Sequence, residues 1–175
     1  IYADWLSLLE QYTPGRRLLD VGCGYGFFLG TASQRGWNVS GIEPSREAAI
    51  YYRETEDGFI HVGPWQSFPT GAMANGCYDV ISAQWLIEHL PDPARFLEWA
   101  YDALWPQGLL FVIVPNEWTS LQAEANRRVQ KRNWWLDPSH LFYFSAASLE
   151  HLLGQAGFHV IERLGTYPME RFIAR

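Results

Sequence analysis

The chain has 175 residues, 48% of them apolar, and a formal net charge of −6 at pH 7. That length and apolar share fit one globular domain spanning residues 1–175, with a sizeable core, and exclude a disordered chain. The acidic balance argues against general nucleic-acid binding, which needs a basic face, and no apolar run approaches the roughly 20 residues of a membrane span. Cys23 and Cys77 are the only cysteines and read as free thiols of a reducing compartment. No basic-then-apolar signal segment opens the chain, so it reads as cytoplasmic. It begins on Ile1 rather than Met and ends abruptly at Arg175, which leaves room for a longer natural protein.

In chain order, residues 2–11 place Trp5, Leu6, Leu8 and Leu9 at helical spacing, and Pro14-Gly15 stop that helix. Residues 16–21 read as a first strand and about 26–35 as a helix closed by Gly36. Trp37–Ile42 read as a second strand, and Pro44-Ser45 open a helix to about Glu56. After a turn at Asp57-Gly58 come a short strand, Phe59–Val62, and a Gly/Pro-rich loop over 63–77. Tyr78–Ala83 is a fourth strand, and Pro91-Asp92-Pro93 start a helix to about Trp105. Leu109–Val114 is an unbroken apolar strand, the pattern of one covered on both faces. A polar helix over 118–133, a loop at Asp137-Pro138, a helix over 146–156 and a strand near 158–164 complete the reading. Alternating strands and helices predict an α/β fold: a three-layer, doubly wound, mostly parallel sheet. Ligands bind such sheets outside the carboxyl ends of the strands, where strand order reverses. Asp20, Glu43, 62–65 and 83–85 project to that rim.

The densest chemical signal is LLDVGCGYGFFLG, residues 18–30. A strand runs into three glycines, Gly22, Gly24 and Gly26, and a helix follows at once. Such a turn admits unusual φ values and lets a flat ligand touch the main chain. Asp20 ends the strand. Glu43 lies about twenty residues on, the offset of a carboxylate that receives ribose hydroxyls. The spacing is G-x-G-x-G rather than the dinucleotide G-x-G-x-x-G, and Phe27 stands where that fingerprint wants a small residue. Asp20 would repel a pyrophosphate but suits a cationic ligand without phosphate, and S-adenosyl-L-methionine is one.

On these residues the sequence resembles the class I S-adenosylmethionine-dependent methyltransferases, nearest to the small-molecule branch that includes ubiquinone-biosynthesis enzymes. LLDVGCGYG is similar to the family's first motif, VSGIEPS (39–45) to its second strand with the ribose acid, and YDVISAQWLIEHLPDP (78–93) to its fourth strand and following loop. LWPQGLLFVIVPN (104–116) resembles its fifth strand, and HLFYFSAASLEHLLGQAGFHVIE (140–162) its late helix and sixth strand. The resemblance implies a seven-stranded Rossmann-like sheet, with RFIAR (171–175) as its antiparallel seventh strand and the C-terminal end open to being incomplete. It implies methyl transfer to an O, N or C atom of a small molecule, releasing S-adenosyl-L-homocysteine. An NAD-dependent oxidoreductase and a non-catalytic cofactor-binding module stay open as alternatives.

The cofactor-binding candidates are Asp20, Gly22, Cys23, Gly24, Tyr25, Gly26, Phe27, Glu43, Pro44, Trp65, Gln66, Gln84 and Trp85. Glu43 is equally a solvated carboxylate at a helix start. By resemblance Trp65 and Gln66 line the adenine in a loop that lacks the acid many relatives carry, with Trp65 as core filler the alternative. Gln84 and Trp85 match positions that touch the methionine end. His140 and His89 are candidate general bases and Tyr143 a third catalytic candidate, each balanced by a structural role. Arg127, Arg128, Lys131 and Arg132, followed by Trp134-Trp135, suit an anionic or aromatic acceptor, or form a solvated face with Glu124 paired to Arg128. No metal-ligand spacing stands out, and the sequence is silent on oligomeric state.

Overall fold

Alternation along the strands sorts their apolar side chains onto two faces of one sheet. Leu18, Val80, Leu109, Phe111 and Ile113 join one core, whereas Leu19, Ile81, Leu110, Val112 and Val114 join the other. In the computed structural model, which describes residues 1–55, 58–68, 77–128, 136–166 and 169–174, the strands are β1 (Arg17–Val21), β2 (Asn38–Glu43), β3 (Phe59–Val62), β4 (Tyr78–Gln84), β5 (Leu104–Pro115), β6 (Val160–Thr166) and β7 (Met169–Ala174). They form a seven-stranded sheet in the order β3-β2-β1-β4-β5-β7-β6. The first five run parallel, and β7 pairs antiparallel with both β5 and β6.

Helices α1 (Tyr2–Tyr12), α2 (Phe27–Gln34) and α3 (Arg46–Thr55) contribute Trp5, Leu6, Leu9, Phe28, Leu29, Ala49 and Tyr52 to the first core. Helices α4 (Pro93–Ala103) and α6 (Ala146–Gln155) cover the other face with Phe96, Leu97, Leu149 and Leu153. Their starts are written in the sequence. Ser45 accepts from the Ala48 N–H, and Asp92 caps α4 ahead of Pro93. Ser145 and Ser148 form a reciprocal capping box on α6. Helix α5 (Ser120–Arg128) has no buried residue.

Several boundaries differ from the sequence reading. The fourth helix ends at Ala103, because β5 begins at Leu104, which pairs with Tyr78 across a register shift. The strand runs on through Gln107 at φ +70°, so the residues between the expected helix and the expected strand at Leu109 belong to a distorted start of the strand. Single 3₁₀ turns form at Trp65–Ser67, inside the expected loop, and at Ile87–His89. Residues 129–133 of the expected polar helix, Glu56, Asp57 and Arg175 lie outside the described residues.

At the amino ends of the central strands, Asp79 ties β4 to β1. Its carboxylate accepts the Arg17 Nε–H at 2.9 Å, the Nη2–H at 2.7 Å and the Arg17 backbone N–H at 3.0 Å. The Arg17 guanidinium holds the Asp79 carboxyl below its ordinary range. Asp79→Ala is expected to lower the urea-unfolding free energy by about 2 kcal/mol, the worth of charge-assisted bonds of this kind. The wild-type advantage is present above the ordinary aspartate range and is lost as pH falls through the lowered folded value. Denaturation curves at neutral pH and in acid check both points.

Candidate functional site

Strand order reverses between β1 and β4: β2 and β3 lie on one side of β1, and β4 and β5 on the other. At the carboxyl ends of these two strands a cavity of about 210 Å³ opens. Asp20, Gly22, Cys23, Gly24, Tyr25 and Phe27 line it from the β1 turn and Gln84 and Trp85 from the end of β4. Tyr2 and Phe28 complete the wall from α1 and α2, a contribution that helical spacing in the sequence marks only as core. A larger cavity of about 390 Å³, lined by Tyr101, Leu104 and Gly157 among others, lies at the start of β5, away from the carboxyl ends of the parallel strands.

The turn is held by its own backbone. Gly22 and Cys23 donate to the Ile42 carbonyl at 2.8 and 3.2 Å, and Gly26 donates to Cys23 at 2.9 Å. Gly22, Gly24 and Gly26 all take positive φ, at 74°, 53° and 77°. The Glu43 carboxylate accepts the Gly24 N–H at 2.8 Å and the Ser45 N–H at 2.8 Å, so the end of β2 is stitched to the middle of the turn.

Asp20 is 3% exposed, and its Oδ1 has no hydrogen-bond partner. Burial pushes its carboxyl up to about 7. The Ser82 hydroxyl, its register partner on β4, pulls the other way, and the Glu43 charge adds to the rise. Burial also pushes the Cys23 thiol far up, which removes it as a nucleophile. Gln84 donates to Ser82 at 2.9 Å. Trp85 takes φ +50°, and its ring lies 6.0 Å from that of Trp5. Tyr25 and Phe27 stack at 6.2 Å beside the edge of Tyr51, an exposed aromatic rim.

The segment that leaves the cavity through Trp85 continues into the 3₁₀ turn bearing Glu88 and His89. Leu141 and Phe142 both donate to the Glu88 carbonyl, at 2.8 and 3.1 Å, which docks the 137–143 loop on that turn. The docking brings His140 to His89, with ring centroids 4.8 Å apart. His140 Nδ1 lies 3.0 Å from Glu117 Oε1, and His89 Nδ1 lies 3.2 Å from the Ser139 carbonyl. Burial raises the carboxyls of Glu88 and Glu117 above their ordinary range.

Residues 2–163 match the family described as methyltransferase domain. The chain belongs to the class I S-adenosylmethionine-dependent methyltransferases.

The chain is similar to a ubiquinone biosynthesis O-methyltransferase of Psychrobacter cryohalolentis, 31% identical over 115 residues, which cover 62% of the chain and 44% of that protein. It is also similar to a probable S-adenosylmethionine-dependent methyltransferase of Mycolicibacterium smegmatis, 29% identical over 160 residues, covering 91% of the chain and 58% of the relative. The chain thus spans about half the length of these relatives. A SAM-dependent methyltransferase from Archaeoglobus fulgidus shares the fold, with a TM-score of 0.75 at 15% identity over 99% of this chain and 91% of that one.

The family's cofactor is S-adenosylmethionine, and the chain carries residues that fit it. A buried carboxylate oxygen without a partner opens on the cavity as a counter-charge for a cation. A Cβ on Gly24 would meet nothing within 4 Å, so a flat group can approach that main chain. The cavity gathers eight expected cofactor residues: Asp20, Gly22, Cys23, Gly24, Tyr25, Phe27, Gln84 and Trp85. Gly26 shapes the turn from behind, and Glu43 reaches the site through Gly24. Pro44 and Gln66 are exposed and outside the cavity wall. Trp65 is 7% exposed and packs on Phe96 and Trp99 at 5.5 and 5.4 Å, in the core rather than on the cavity. Tyr143 donates its hydroxyl to the Asp137 carbonyl at 2.9 Å, a loop-shaping bond. Arg127 and Arg128 both pair with Glu124 on an exposed helix face. Lys131, Arg132, Trp134 and Trp135 lie outside the described residues. Sequence reasoning missed Glu117; its one trace is a carboxylate just beyond the carboxyl end of β5.

Proposed function

We propose that this chain transfers the methyl group of S-adenosylmethionine to an oxygen of a small-molecule acceptor. The observation that carries the reading is Asp20, a buried carboxylate with one oxygen left without a partner, at the switch point of the sheet and beside a glycine turn open to a flat ligand. When bound, the cofactor supplies a methyl carbon on a sulfonium, a leaving group that needs no help from the protein. The chain's own task is to hold and orient. Asp20 neutralises the cationic end of the ligand, Glu43 accepts ribose hydroxyls, and the Tyr25–Phe27–Tyr51 rim shields the mouth from water. His89 and His140 are the polar neighbours of the acceptor, and Tyr143 is structural. An oxygen acceptor is favoured by the O-methyltransferase name of the Psychrobacter relative. The net charge of −6 favours a small molecule over a nucleic acid. No helix among the described residues is long and apolar enough to cross a membrane, and the two free cysteines favour a cytoplasmic place.

Calorimetry with S-adenosylhomocysteine and with NADH tests the reading. Heat from the former and none from the latter is expected, and the reverse overturns it. Glu43→Ala is expected to weaken S-adenosylhomocysteine binding about 100-fold, the loss of two hydrogen bonds to a carboxylate at about 1.5 kcal/mol each, with the circular dichroism spectrum unchanged. A solvated helix-start carboxylate would leave the affinity as it was.

A further inference from the structure

Among the described residues, Glu88 stands out. It is 1% exposed, and neither carboxylate oxygen has a hydrogen-bond partner. A buried carboxylate left this way is strongly unfavourable unless a cation or a proton reaches it. What faces it is a pair of imidazoles. One ligand atom from each of Glu88, His89 and His140 lies within 4.8 Å of the others.

Both imidazoles are held for ligation. A carbonyl oxygen only accepts, so the contact from His89 to Ser139 places the His89 proton on Nδ1. The Glu117 carboxylate does the same for His140. In each ring the lone pair is then on Nε2. A histidine whose other nitrogen donates to a carboxylate or a backbone carbonyl is the supporting arrangement of metal-bound histidines. The two rings meet nearly edge to face, at 79°, rather than in a stack. The loop bearing His140 is fixed on the Glu88 carbonyl, so the three ligands belong to one rigid unit. Burial is graded from Glu88 inside, through the His140 side chain at 11%, to an exposed His89, and this gives an ion a way in.

We propose that Glu88, His89 and His140 bind one divalent transition-metal cation. Two imidazoles and a carboxylate are the ligand set of Zn²⁺ and its first-row neighbours rather than of Ca²⁺ or Mg²⁺. Ligands about 2.2 Å from one ion are at most about 4.4 Å apart, so the widest pair draws in by at least about 0.4 Å on binding. Three protein ligands leave a coordination position for an oxygen from water or from a hydroxylated acceptor. The acceptor part of the proposal rests on the methyltransferase reading; the ion site does not.

The test is calorimetry of the chelator-stripped chain with Zn²⁺ alone, beside a separate titration with S-adenosylhomocysteine. One equivalent of Zn²⁺ is expected to bind with sub-micromolar affinity. His140→Ala and Glu88→Gln are each expected to weaken it at least 100-fold while changing S-adenosylhomocysteine affinity less than threefold. His89→Ala, at an exposed position that leaves the core intact, gives the same loss if either buried variant fails to fold. Glu88→Gln is further expected to raise the melting temperature in chelator and to abolish the rise that Zn²⁺ gives the wild type. Absence of Zn²⁺ heat from a chain that binds S-adenosylhomocysteine overturns the ion site and leaves the methyltransferase reading standing. Zn²⁺ binding untouched by all three substitutions also overturns it. Zn²⁺ binding without S-adenosylhomocysteine binding supports the ion site and counts against the proposed function.

Discussion

Asp20→Asn is expected to stabilise the ligand-free chain above pH 7 and to remove its grip on the cofactor. The wild-type carboxyl is pushed up to about 7 from an ordinary 3.8, first by burial. Between those two values the folded chain holds a proton that the unfolded chain has released. Stability therefore falls as pH rises through that window and levels off above it. About three pH units at about 1.36 kcal/mol each make the full loss about 4 kcal/mol. An amide at position 20 keeps a partner for Ser82 and carries no charge, so its unfolding free energy is expected to stay flat across the window. Binding moves the opposite way. The ligand's ammonium group needs the carboxylate ionised, so wild-type affinity for S-adenosylhomocysteine is expected to rise about tenfold per unit of pH up to pH 7 and then to level off. Above pH 7 the variant is expected to bind at least about 100-fold more weakly, because the buried ligand charge then lacks its counter-ion, and the gap is expected to close toward pH 4 as the wild-type carboxyl itself becomes neutral. Urea melts and calorimetry from pH 4 to 8 check the pair of slopes. A variant both less stable and still able to bind would make Asp20 a packing residue.

What the sequence shows and what it hides divide along chain separation. The first strand, the glycine turn and α2 are legible because every signal in them is local: an apolar run, three glycines, then helical spacing. Glu43 is legible because a strand–helix–strand unit has a nearly constant length. Trp65 is not, because a tryptophan beside a short strand packs equally well on a ligand or on a core, and only the positions of Phe96 and Trp99 decide for the core. The extra length of β5 is hidden for a related reason: Leu104 pairs with Tyr78, a residue in another part of the chain. The rim beyond β4 is the extreme case. His89 and Ser139 are 50 residues apart, and Glu117 and His140 are 23 apart. No spacing rule joins them, because the loop from 137 to 143 reaches its place through backbone donors at Leu141 and Phe142, and any residue type supplies those.

Gly26→Ala is expected to cost far more stability than Gly24→Ala, although both glycines sit in one turn with positive φ. At Gly26 (φ +77°) an added Cβ would lie 2.0 Å from Tyr52 Cδ2 and 2.6 Å from Cε2. Tyr52 has nowhere to go. It is fully buried, and its hydroxyl oxygen already lies 2.2 Å from where a Cβ on Gly58 would stand. Left-handed backbone at about 1–2 kcal/mol and overpacking at about 1–3 kcal/mol together give about 2–5 kcal/mol, a large part of the stability of a domain this size. At Gly24 (φ +53°) no atom lies within 4 Å of the added Cβ, so the backbone cost of about 1–2 kcal/mol stands alone. The functional order inverts. Gly24 lines the cavity and Gly26 does not, so a methyl group at position 24 occupies the space kept for the ligand, and S-adenosylhomocysteine affinity is expected to fall at least tenfold in a chain that still folds. Urea midpoints and calorimetry on the two variants separate the glycine kept for α3 from the glycine kept for the cofactor. Equal affinity in Gly24→Ala and wild type would mean that the turn's shape serves the protein's own packing alone.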